Sequence, residues 1–148
     1  MVSLRAFCRV GLCLTVLFTS APDFAQTPAP DDSLFQSLGG KDGIGKIVVD
    51  FIPIIQQDAR IKKAFNDADI DHLVKMLDEQ LCAVSGGPCT YTGKSMKIIH
   101  ADLAITNAQF NALAEDLQLA MEKHGIPSHV QNRLLAKLAP MQHDIVTR

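Results

Sequence analysis

Five histidines, four cysteines and five methionines are the side chains of this 148-residue sequence best suited to holding a metal. The histidines are His72, His100, His124, His129 and His143. No two of them stand in an H-E-x-x-H or similar zinc spacing. His124, His129 and His143 fall near expected helix ends or turns among polar neighbours and read as solvated surface. His100 differs, because Met96, Ile99, His100 and Leu103 share one face of an expected short helix over roughly 94–103. That face sets an imidazole among apolar groups. On spacing alone, such a residue is more often a satisfied core or edge histidine than a ligand.

The cysteines divide into two pairs. Cys8 and Cys13 lie in an N-terminal segment read below as removed, and neither sits in a convincing lipoprotein box. Cys82 and Cys89 could pair in an oxidising compartment. Closing so short a loop is worth roughly 2–3 kcal/mol in the chain-entropy model. The alternative is two unpaired thiols on a turn. No Cys-x-x-Cys-His occurs, so covalent haem attachment of that kind is excluded.

Two further patterns fail on inspection. Gly40-Lys-Asp-Gly-Ile-Gly45-Lys46 has the G-x-x-x-x-G-K outline of a phosphate loop. Such a loop needs a preceding buried strand and a following Ser or Thr, whereas this one follows a helical segment and position 47 is Ile. Asp67, Asp69 and Asp71 imitate the start of an EF-hand, but the sixth position is His72 where Gly is needed and the twelfth is Asp78 rather than Glu. A polar corner at a helix N-terminus is the better reading.

The elements that must position these residues are helical. Arg5 and Arg9, the apolar run Val10–Phe18 and the small residues Thr19-Ser20-Ala21 and Ala25 form a secretory signal over 1–25, too short to span a membrane. Cleavage is expected after 21 or 25, placing the product in the periplasm or outside the cell. Residues 26–32 read as a flexible leader, and 33–148 as one domain. Ser33–Leu38 is a helical turn ended by Gly39-Gly40. Ile44, Ile47, Val48, Phe51, Ile52 and Ile55 make a helix stripe interrupted by Pro53, which should kink it or remove one backbone bond. Ile70, Leu73, Leu77, Leu81 and Val84 mark another, stopped by Ser85-Gly-Gly-Pro88. Thr106–Gln109 has the form of a capping box ahead of Phe110, Leu113, Leu117 and Met121, and Ser128–Gln131 repeats it ahead of Val130, Leu134, Leu135, Leu138 and Met141. No convincing alternating strand appears, so the fold class is all-α, with four main helices and two short ones. A net charge of −2 and only eight aromatic residues give no reason to expect nucleic-acid binding.

Taken in order, several segments resemble the group 1 truncated haemoglobins. They are Leu34-Phe-Gln-Ser-Leu-Gly-Gly40, Val48-Val-Asp-Phe51, Phe65, Gly86-Gly-Pro88, Tyr91-Thr-Gly93, Met96-Lys-Ile-Ile-His100, Ala104-Ile-Thr106, Phe110, Leu138-Ala-Pro140 and Asp144-Ile-Val146. Each is weak alone, but their order and spacing over about residues 33–146 are specific. The resemblance implies a two-over-two helical sandwich around a non-covalent haem b, with His100 as proximal iron ligand. It implies that Phe65 wedges against the porphyrin, that Met96, Ile105, Phe110 and Leu117 line the pocket, and that Lys94 reaches a propionate.

On the distal side the resemblance marks a departure. Relatives commonly place a Tyr and a Gln there to hydrogen-bond oxygen, whereas the matching positions here are Ile52, Leu73 and Leu77, with Leu81 deeper. A hydrogen bond to a charged acceptor is worth about 1.5–3 kcal/mol, so its loss implies an oxygen affinity roughly ten- to a hundredfold lower. The expected function is reversible binding of a diatomic gas (oxygen, carbon monoxide or nitric oxide) rather than catalysis, and nitric oxide dioxygenase-like activity would be weakened. Met76, with His72 and Lys75 nearby, lies near where some relatives supply an internal sixth ligand. Ligation there would make the protein an electron carrier with a redox partner; a partly exposed helix face is the plainer reading. After signal removal no membrane association is expected.

Overall fold

The computed structural model describes residues 32–148; the expected signal and most of the leader lie outside the described residues. Seven α-helices follow in order: α1 (Ser33–Ser37), α2 (Gly40–Gln57), α3 (Ile70–Val84), α4 (Met96–His100), α5 (Asn107–Lys123), α6 (Ser128–Leu138) and α7 (Gln142–Ile145). Short 3₁₀ turns at Lys62–Phe65 and Ala139–Met141 complete the described residues, among which there is no strand.

The long helices form where the apolar stripes predict them. All six stripe residues of α2, from Ile44 to Ile55, are buried. The helix runs through Pro53 to Gln57 without ending. Its entry is set by Gly39, which caps the N-terminus at φ 86°, a left-handed conformation that costs glycine no Cβ clash. Asp69 caps α3 by accepting from the His72 amide at 3.1 Å, so the aspartate-rich corner is a helix start. Thr106 and Gln109 form the reciprocal capping box of α5. The second expected box is absent: Pro127 precedes α6, Ser128 makes no cap bond, and Gln131 turns inward to donate to the Ile126 carbonyl at 2.8 Å.

Helix α2 packs against both α3 and α5, while α6 packs against α1, α3 and α5. Two helix pairs therefore cross in a two-over-two sandwich. The core lies chiefly between α1, α2, α5 and α6, where Leu38, Ile47, Val48, Ala120, Met121 and Leu134 are almost wholly buried. Helix α4 is different. It buries no residue, leaves Ile98 64% exposed, and rests against α7.

Candidate functional site

Between the sandwich and α4 lies a cavity of about 360 Å³. Helix α2 contributes Phe51 and Ile55; the first 3₁₀ turn contributes Phe65. Helix α3 lays Leu73, Met76, Leu77, Gln80 and Leu81 along one wall. Met96, Ile99 and His100 of α4 face them, and Phe110, Asn111, Leu113, Ala114 and Leu117 of α5 supply the floor. The C-terminal segment closes the far side with Leu135, Leu138, Ala139, Met141 and Ile145, and Tyr91 stands at the loop between α3 and α4. A smaller cavity of about 60 Å³ meets the first at Phe65, His100, Phe110, Leu113 and Ile145.

His100 is the one imidazole on either wall. Its Nδ1 lies 2.8 Å from the Met96 carbonyl, four residues back on the same helix. A carbonyl can only accept, so Nδ1 carries a proton, and in the neutral ring the lone pair is then on Nε2. This is the tautomer a metal needs, and the same bond fixes the plane of the ring.

Of the residues singled out from sequence, Phe65, Leu73, Leu77, Leu81, Met96, His100, Phe110 and Leu117 share the large cavity, as does Met76. Four do not. Ile105 lines the smaller cavity instead. Ile52 is buried, but α2 presents Phe51 and Ile55 (one helical turn apart) to the cavity, which turns Ile52 into the core. His72 is exposed outside the cavity. The Lys94 side chain is exposed and away from the wall, its carbonyl accepting from the Tyr91 hydroxyl at 3.0 Å.

Sequence reasoning missed Gln80, Asn111 and Met141 as wall residues. Gln80 stands three residues after Leu77 and four after Met76, on the stripe that places both in the cavity; its polarity hid it. In the structure its Nε2 donates to Met96 Sδ at 3.3 Å and lies 3.5 Å from Met141 Sδ. Cys82 and Cys89 are joined in a disulfide beside this wall.

Residues 33–147 match the family model described as bacterial-like globin. The chain belongs to that family. This globin is 29% identical over 115 residues to the group 1 truncated hemoglobin of Mycolicibacterium paratuberculosis, a match covering 78% of this chain and 85% of the relative. It is 27% identical to the Tetrahymena pyriformis group 1 truncated hemoglobin over 114 residues, or 77% and 94% of the two chains. The crystal structure of the latter in its Fe(III) form superposes with a TM-score of 0.75, covering 78% of this chain and 98% of that one. The 2/2 hemoglobin of Synechococcus, at 24% identity and a TM-score of 0.71, shares the fold.

The globin therefore binds haem. The site passes a test of fit that does not depend on kinship. A flat apolar macrocycle needs apolar walls on both faces, and the leucines and Phe51 on one side with Phe65, Phe110 and Ile99 on the others provide them. An iron at its centre needs one neutral imidazole nitrogen, and the His100–Met96 bond leaves Nε2 free to provide it.

Proposed function

We propose that this globin reversibly binds a diatomic gas (oxygen, carbon monoxide or nitric oxide) at a haem whose iron is held by His100, and that it does so outside the cytoplasm. The observation that carries the reading is the His100 Nδ1–Met96 carbonyl bond at the edge of an apolar cavity. Haem iron, when bound, supplies the coordination position a gas occupies. The chain's own residues do the rest. His100 presents a neutral nitrogen in a fixed orientation. Leu73, Leu77, Leu81, Phe51 and Ile55 keep water away and offer no hydrogen-bond donor. Gln80 is the donor nearest to them along α3, and its amide is turned to two thioethers. A site of this kind gives bound oxygen no hydrogen bond, and so favours weakly polar ligands such as carbon monoxide over oxygen. Export is supported by the basic, apolar and small-residue order of residues 1–25 and fits the Cys82–Cys89 disulfide.

A haemin titration of the signal-free chain tests the reading, with spectra of the ferric, dithionite-reduced and carbon monoxide forms. Saturation at one haem per chain, a broad five-coordinate reduced spectrum, and loss of haem retention in His100→Ala are expected. Retention by His100→Ala with an unchanged spectrum sinks the proximal assignment.

A second reading, electron transfer, is kept by one observation. Met76 lies on the cavity wall, where a thioether can serve as sixth ligand, whereas His72 does not. Sharp low-spin bands on reduction without carbon monoxide, abolished in Met76→Leu, would replace the gas-binding reading with this one.

A further inference from the structure

Three residues in the last two turns of α3 reach over to the segment that carries His100. Glu79 Oε2 accepts from the Thr92 amide at 2.9 Å and from its hydroxyl at 2.7 Å. Cys82 is joined covalently to Cys89, with their Cα atoms 5.7 Å apart. Between them in sequence, Gln80 Nε2 holds Met96 Sδ at 3.3 Å and stands 3.5 Å from Met141 Sδ. Met96 is the residue whose carbonyl accepts from His100 Nδ1. Gln80 thus reaches the imidazole through one intervening residue.

The link matters because α4 cannot hold itself. A helix of five residues is far below the length that is stable alone, and this one has no side-chain N-cap bond and no buried residue. Its position comes from what it touches: α7 on one side, the α3 attachments on the other. Glu79 and Cys82 anchor the loop leading to α4; Gln80 alone of the three acts on α4 itself. We propose that Gln80 is a positioning residue for His100, holding Met96 so that the imidazole meets the iron at a fixed angle, and thereby coupling helix α3 to the opposite face of the haem. The proposal rests on the reading of His100 as iron ligand.

Gln80→Leu, Met96→Leu and the double variant test it in the haem-loaded protein. Resonance Raman of the reduced form reads the iron–histidine stretch, and transfer to a haem-scavenging apoprotein reads haem loss. In the haem-free chain, amide exchange reads α4 directly. Gln80→Leu is expected to shift the stretch, speed haem loss about three- to tenfold, and speed exchange over 96–100. Met96→Leu removes the acceptor with little change of volume and should reproduce all three. The double variant should do no more than either single one, because both break one link. An unmoved stretch and loss rate in Gln80→Leu, or effects that add in the double variant, overturn the proposal. If Gln80→Leu does not fold, Met96→Leu carries the same readouts. His100→Ala separates the two levels: haem retained there overturns the proximal assignment, whereas haem lost there with a wild-type stretch in Gln80→Leu overturns only the link.

Discussion

At the scale of single residues, the cavity is defined as much by what its side chains lack as by what they offer. Leu73 and Leu77 face the space opposite His100 with methyl groups alone. A donor placed there should change ligand preference without disturbing the proximal side. Leu77→Gln is therefore expected to slow oxygen release about ten- to a hundredfold while altering carbon monoxide release much less, as measured by stopped-flow ligand replacement. Away from the cavity, Asp116 is 2% exposed and its Oδ2 has no hydrogen-bond partner. Burial raises its pKa, aided by the neighbouring Asp58 and opposed by Arg60, whose guanidinium lies 3.8 Å away. Asp58 moves the other way, lowered by its hydrogen bonds from Arg60. The folded chain thus holds a proton on Asp116 more tightly than the unfolded chain does. Stability from this group is present below the ordinary carboxylate value and is lost as pH rises through the raised one. Asp116→Asn should raise the melting temperature at pH 7 relative to the parent, with the gain shrinking toward pH 4. An equal difference at every pH would rule out this origin.

At the scale of elements, α2 shows how closely local chemistry and tertiary fit are interlocked. Gly43 and Gly45 sit two residues apart in the same helix, yet a side chain would meet different surroundings. A Cβ on Gly43 would stand 2.1 Å from the Leu38 carbonyl oxygen, whereas one on Gly45 meets nothing within 4 Å. Gly45→Ala should stabilise the protein by about 0.5–1 kcal/mol through helix propensity. Gly43→Ala should destabilise it by about 1–3 kcal/mol, because backbone must move to relieve the clash. Denaturant melts with equal m-values would check both. The two glycines look alike in the sequence, and the contrast marks where its legibility stops. Periodicity placed α2, α3, α5 and α6, because a stripe of six buried residues leaves little freedom in which face turns inward. It also put Leu73, Leu77 and Leu81 together. It could not tell that Phe51 and Ile55, rather than Ile52, face the cavity, since all three are apolar and the choice is a rotation set by α3 and α5. Nor could it see Gln80, which breaks the apolar pattern because its partners are sulfur atoms from segments 16 and 61 residues away.

At the scale of the whole molecule, the two halves are unequally supported. Helices α2, α5 and α6 share a continuous core that reaches the cavity only along one side, at Phe51, Ile55 and Leu117, with Val48, Ala120 and Met121 fully buried deeper in it. Across the cavity, α4 and the loop before it bury almost nothing and rely on the Cys82–Cys89 disulfide, the Glu79–Thr92 bonds and contacts with α7. With haem in the cavity, α4 would gain an apolar surface that it otherwise lacks, whereas α2, α5 and α6 already have a core of their own. Stability is then graded along the fold, and local opening should follow the grade. In the haem-free chain, amide exchange is expected to be slow in α2 and α5 and fast over 89–104. Adding haemin should slow the second segment far more than the first and raise the melting temperature with haem concentration, as binding to the folded state alone requires. The Cys82→Ser, Cys89→Ser pair should cost about 2–3 kcal/mol of stability through the unfolded chain. It should also widen the difference between the halves, because the cross-link ties the weaker one to buried Cys82 of α3. Uniform protection across both halves before haemin is added would show that the sandwich holds α4 without its cofactor, and would make the cavity a preformed socket.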